Sequence, residues 1–178
     1  MTANPVFVHT TEIQAGPERV WEALTDLEET AVYWGHANVS DWRVGSPWEH
    51  RRTDGTGIVD AHGVVEVSEP PHRLVLTWAE PAGTHPDRDA GAEGTGADGV
   101  DGVEPARVDG DAVGPSRVTL DLVPAGEGVR VTVTHENLRD EAARQRAAGG
   151  WSFVLKNLKN WVEGDRPDRA PAPAESAG

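Results

Sequence analysis

Ser116–His135 read SRVTLDLVPAGEGVRVTVTH. Val118, Leu120 and Leu122 alternate with polar neighbours, and Val129, Val131 and Val133 do the same. Successive side chains of a strand point to opposite faces, so each run is a strand with one apolar face. Between them lies Pro124-Ala125-Gly126-Glu127-Gly128, short and glycine-rich as a hairpin connection requires. The stretch predicts an antiparallel hairpin, and parity carries His135 to the same face as the valines.

On the C-terminal side, Trp151, Val154, Leu155, Leu158, Trp161 and Val162 recur at helical spacing, and Gly164 ends the pattern. On the N-terminal side, Val6–Ile13 reads as a first strand. Gly16-Pro17 opens a helix carrying Val20, Trp21, Leu24 and Leu27 on one face, and a second short helix follows over Glu29–Trp34. SDWRVGSPWEH reads as two short extended pieces broken at Gly45-Ser46-Pro47. Ile58–Val67 and Arg73–Trp78, separated by the Pro70-Pro71 turn, complete the strands. A run of strands with helices segregated to the ends predicts an α+β domain with an antiparallel sheet around one long C-terminal helix, and two short helices after the first strand.

Two stretches differ in composition. Residues 79–115 hold eight Gly, four Pro, nine acidic and two basic residues, with no apolar periodicity. Such text cannot repay the entropy of ordering, so a disordered acidic insertion is expected there, and a second low-complexity tail at 164–178. Residues 1–163 then form a single domain, with roughly 125 residues of ordinary composition once the insertion is set aside. Cysteine is absent, which excludes disulfides, thiolate metal sites and a Cys nucleophile. The net charge of −14 argues against nucleic acid and anionic membranes as partners. No apolar run approaches the ~18 residues of a spanning helix, and no signal peptide is visible, so a cytoplasmic protein is expected. Two lysines among sixteen basic residues suggest a high-GC bacterial source.

ERVWEALTD, YWG, SDWRVGSPWEH, GVVEVSEPPHRLVLTW, SRVTLDLVPAGEGVRVTVTHENL and GGWSFVLKNLKNWVEG occur in that order. The set resembles the START and birch-pollen-allergen-like superfamily, often labelled SRPBCC. It looks most like the branch homologous to the C-terminal domain of activators of the 90-kDa heat-shock chaperone ATPase. The resemblance covers about Phe7–Trp78 and Ser116–Gly164. It implies a helix-grip fold with a cavity between sheet and helix, in a superfamily of lipid carriers, aromatic-polyketide cyclases, hormone receptors and stress proteins. The acidic insertion departs from the usual short turn.

Parity sorts the candidate residues. Leu74, Leu76 and Trp78 face the helix with Val118, Leu120 and Leu122, and Trp48 shares a face with His50. Val65 and Val67 place Asp60 and His62 toward solvent in an unbroken strand, although Gly57 and Gly63 are natural sites for a bulge. The expected ligand pocket is Trp34, Trp42, Trp48, His50, Leu76, Trp78, Leu120, Val131, His135, Trp151, Leu155 and Leu158. Indole faces and N–H groups suit a flat apolar ligand, and the same residues equally suit a filled core. His50 and His135 fit a ligand hydrogen bond or proton transfer, or else a backbone- or Trp-bonded buried histidine. The seven histidines show no HxH or HxxxH spacing, so no metal and no other cofactor is expected. There is no GxSxG elbow, and Ser40, Ser46, Ser68, Ser116 and Ser152 have no evident His or Asp partner, so no catalytic residue is named.

The reading that follows is a protein binding a small hydrophobic or aromatic molecule, leaning away from an enzyme. Weak self-association into a homodimer is compatible with it. The alternatives are a polyketide cyclase or aromatase using His50 or His135, and an interaction protein stimulating a chaperone ATPase. About five residues precede the first strand, leaving no room for the activators' additional N-terminal domain, so a chaperone partner is not expected.

Overall fold

The computed structural model describes residues 3–81 and 114–164, so the expected disordered insertion and tail lie, apart from their edges, outside the described residues. In chain order the elements are β1 (Phe7–Ile13), α1 (Pro17–Thr25), α2 (Leu27–Tyr33), β2 (His36–Val39), β3 (Pro47–Arg52), β4 (Val59–Glu69), β5 (Arg73–Trp78), β6 (Ser116–Ala125), β7 (Gly128–Glu136) and α3 (Glu141–Glu163). The strands form one seven-stranded sheet in the order β1-β7-β6-β5-β4-β3-β2. Every neighbouring pair is antiparallel. The sheet curls around α3, which packs on β1, α1 and α2, giving a helix-grip α+β fold. None of the described helices is long and apolar enough to cross a membrane.

The β6–β7 hairpin follows the sequence pattern. Ala125 pairs with Gly128, and Gly126 has a φ of 61°, the positive value that a two-residue type II′ turn needs at its first central position. Val118, Leu120, Leu122, Val129, Val131 and Val133 are all buried in the core. Asp26 closes α1 and opens α2: its carboxylate accepts from the backbone N–H groups of Glu28 and Glu29, both at 2.9 Å, satisfying donors that a helix start leaves free. Arg19 of α1 then reaches Glu29 of α2 at 2.7 Å, and Trp161 of α3 donates its indole N–H to the same carboxylate oxygen at 2.7 Å.

Three features differ from the sequence expectation. The segment expected as extended before Gly45 is not a strand; the extra strand, β2, lies just upstream at His36–Val39. The third expected strand runs to Glu69 and is bulged. Val65 pairs with Leu76 but Val67 with Val75, so Val67 joins the outer face instead of the core. Gly63 sits where β4 crosses β5, and a Cβ there would lie 1.9 Å from the Thr77 carbonyl oxygen, which only glycine avoids.

The third difference is the start of α3. Its buried residues are Trp151, Val154, Leu155 and Leu158, which is why the apolar pattern shows only the second half. The first half begins at the Asp140 cap, whose carboxylate accepts from the Ala143 N–H at 2.7 Å, and it carries Gly149-Gly150 in mid-helix. A Cβ at either glycine meets nothing within 4 Å. Gly149→Ala and Gly150→Ala should therefore each stabilise the protein by about 0.5–1 kcal/mol, seen as a higher urea midpoint. An unchanged midpoint in both would show that this half of α3 is not held helical in solution.

Candidate functional site

The inner faces of three strands, the end of one helix and the middle of another bring six rings together. β3 supplies Trp48 and His50, β5 supplies Trp78, and β7 supplies His135. Trp34 comes from the end of α2 and Trp151 from the middle of α3. Trp78 is the hub, with ring centroids 4.8 Å from Trp48, 5.6 Å from His50, 5.9 Å from His135 and 5.9 Å from Trp151. Trp34 closes the other side, 4.9 Å from His50 and 5.4 Å from Trp151, both edge-on. Trp48, His50, His135 and Trp151 are buried, while Trp34 and Trp78 are half-buried. The rings contact one another between sheet and helix at this level.

The hydrogen bonds assign the protons. An indole N–H can only donate, so the contact from Trp151 Nε1 to His135 Nδ1 at 3.2 Å makes Nδ1 the acceptor. In the neutral ring the proton then sits on Nε2, which donates to Ser116 Oγ at 2.8 Å, and Ser116 in turn donates to the Trp78 carbonyl at 3.0 Å. Ser116 thus has a histidine partner that the sequence did not reveal. The polarity is the reverse of a nucleophile and its base, because the imidazole N–H donates to the serine oxygen instead of accepting from its hydroxyl. Both ring nitrogens of His135 are committed. Burial pushes its pKa down to about 4, with Glu80 opposing.

His50 differs. Its Nδ1 lies 2.6 Å from Asn38 Oδ1, an oxygen that only accepts, so Nδ1 carries the proton and Nε2 presents a lone pair. No described residue donates to that lone pair. Burial, helped by His36, pushes the His50 pKa down to about 3 against the attraction of Asp60. The ring is therefore neutral at ordinary pH and a poor base.

Beside it His36 stacks on His50, with centroids 4.2 Å apart and planes within 6°. His36 Nε2 lies 2.8 Å from Asp60 Oδ2, which also accepts from Arg52 Nε at 2.6 Å, and Arg52 Nη2 reaches Oδ1 at 2.9 Å. The Arg52 bonds hold the Asp60 carboxyl below the usual range despite partial burial. His36 Nδ1 is buried without a partner. Asp60 was expected to face solvent. A second bulge, between His50 and Arg51, leaves Asp60 opposite no single residue of β3 and turns it toward His36. His62 is exposed, as expected.

Of the twelve residues expected to line a pocket, Trp34, Trp48, His50, Trp78, His135 and Trp151 meet in the ring cluster. Leu76, Leu120, Val131, Leu155 and Leu158 belong to the buried core that continues from it. Trp42 stands apart: it has a φ of 59°, donates its N–H to the Thr25 carbonyl at 2.8 Å, and makes no ring contact among the described residues. Asn38, His36, Asp60, Arg52 and Ser116 are the polar residues that the sequence reading missed. For Ser116 a signal existed, since it shares the parity of Val118, which pairs with His135. Among the described residues no group of three His, Asp or Glu is placed to hold a metal. An open hollow of about 510 Å³ lies on the other face of the sheet, lined by Asn4, Val6, Glu66, Thr77, Pro115, Arg117, Glu136 and Asn137.

The fold is similar to that of several solved proteins. Protein MLL2253 from Mesorhizobium loti is 22% identical, with 92% of this chain and 99% of that chain covered and a TM-score of 0.65. CalU16 from Micromonospora echinospora is 19% identical over 89% of this chain and 76% of that one, at a TM-score of 0.60. The Aha1 dimer from Colwellia psychrerythraea is 19% identical over 89% and 96%, at 0.61. Comparison with curated protein sequences gives no match. The sequence profile of one family, described as Activator of Hsp90 ATPase homolog 1-like protein, matches residues 14–163, a span from the end of β1 to the end of α3 that contains every ring of the cluster. The chain belongs to the Activator of Hsp90 ATPase homolog 1-like family.

Proposed function

We propose that this protein binds a small apolar or aromatic molecule among the indoles between the sheet and α3. The observation that supports this reading most is the placing of two uncharged imidazoles inside a cluster of four tryptophans, two of which reach solvent. A core built for stability alone is better filled with aliphatic side chains, because a buried imidazole forfeits hydration that hydrogen bonds only partly restore. Trp34 and Trp78 offer flat faces and are the half-buried members of the cluster. A cyclase-like reaction has less support. His135 is fully committed to Trp151 and Ser116, and His50 is too weak a base for efficient proton removal.

Titration with 2-methoxynaphthalene or decanol should alter the tryptophan emission of the native protein and saturate. Trp78→Leu, which keeps the strand apolar and removes the hub ring, should weaken binding about tenfold, equivalent to about 1.4 kcal/mol. Unchanged emission across both ligands, or equal affinity in Trp78→Leu, would count against the site.

A further inference from the structure

We propose that the molecule taken up carries a neutral hydrogen-bond donor, a phenolic or alcoholic hydroxyl, received by Nε2 of His50. This rests on the binding reading above and names the ligand's chemistry. Asn38 Oδ1 fixes the tautomer from the far side of the ring, at 2.6 Å, so Nε2 is an acceptor. His50 is only 6% exposed, and no described residue gives Nε2 a hydrogen bond. The indole donors nearby are already used: Trp48 Nε1 donates to the Thr77 carbonyl at 2.9 Å and Trp151 Nε1 to His135.

No described residue serves this acceptor, and a ligand hydroxyl would supply its missing donor. The donor should be neutral rather than an ammonium. Asp60, the carboxylate that acts on His50, is already engaged by both arms of Arg52 and by His36, so no free carboxylate among the described residues beside His50 remains to balance a buried cation. A hydroxyl also offers lone pairs to the indole N–H groups of Trp34 and Trp78, which find no acceptor among the described residues.

The test compares 2-naphthol with 2-methoxynaphthalene, which has the same ring but no donor, by calorimetry on the native protein and on His50→Phe. Native protein should prefer the naphthol by roughly 3- to 10-fold, and His50→Phe should abolish the preference while still binding the ether. Equal affinity of the two in native protein, or a preference that survives His50→Phe, would overturn the inference while leaving apolar binding intact. Failure of both ligands to bind would instead remove the binding site itself. Nitrogen NMR of the native protein gives an arm that needs no variant. His50 Nε2 should show the shift of an unprotonated ring nitrogen and move on adding the naphthol but not the ether. A protonated Nε2 in the free protein would sink the proposal.

Discussion

Arg19→Met should lower the unfolding free energy by about 3 kcal/mol, although it removes only one surface-reaching cation. Arg19 is a quarter exposed, but its partner is not: the Glu29 side chain is 9% exposed, and Glu29 sits where α1, α2 and α3 meet. Arg19 Nη2 and Nη1 bind the two carboxylate oxygens at 2.7 and 3.3 Å, and Trp161 Nε1 adds a third bond at 2.7 Å. Removing the guanidinium keeps the apolar stem but strands most of a buried negative charge, the costly way to break such a pair. Tyr33 reports the same field, its hydroxyl pKa raised by burial first and by Glu29 second. Because the loss is one of charge compensation, Arg19→Met/Glu29→Gln should recover more than half of it, the neutral amide still accepting from Trp161. Urea unfolding of both proteins checks this. A single substitution within about 0.5 kcal/mol of native would show that Glu29 is not dependent on Arg19.

Where one face of an element is apolar and the other polar, the sequence is easy to read. The hairpin of β6 and β7 is fixed by six alternating aliphatic residues, and their parity alone puts His135 beside α3. Trp48 and His50 follow by the same logic. The reading fails where the backbone leaves the period of two. Both bulges in β4 shift parity by one residue, which sends Val67 outward and Asp60 toward His36. β2 escapes notice because its four residues include only two aliphatic ones, at intermediate burial or exposed. The first half of α3 escapes because alanines and a Gly-Gly pair leave no periodic signal, although Asp140 is a normal cap. The ring cluster itself was legible as a composition of tryptophans and two inward histidines. Its hydrogen-bond polarity was not, since it depends on which atom of Asn38, Ser116 and Trp151 faces each imidazole.

Between pH 7 and pH 5 the protein is expected to lose on the order of 3 kcal/mol of stability through His50 and His135 alone. The sign follows from their lowered pKa values. In the unfolded chain both rings take up a proton near pH 6.5, whereas burial holds them neutral in the folded state until about pH 3 and about pH 4. Below pH 6.5 the unfolded state therefore binds more protons, and the folded state loses ground until the folded values are passed. The neighbouring charges alter the extent and not the direction: His36 adds to the shift of His50 and Asp60 opposes it, and Glu80 opposes that of His135. Asp60, Glu141 and Glu163 have lowered values too, so what they contribute is lost only under more acidic conditions, as the pH passes below their ordinary range near ~4. His50→Gln/His135→Gln, with side chains that do not titrate, should flatten the pH 7 to pH 5 fall in urea midpoint, and comparison with native protein cancels every other titrating group. A fall as steep in the double variant would assign the acid sensitivity elsewhere. The same physics links stability to recognition: because His50 stays neutral across this range, affinity for 2-naphthol in the folded protein should be flat from pH 5.5 to pH 8. An affinity that drops as the pH falls from 7 to 6 would mean that the nitrogen offered to the ligand is one that titrates there, which His50 in this setting does not.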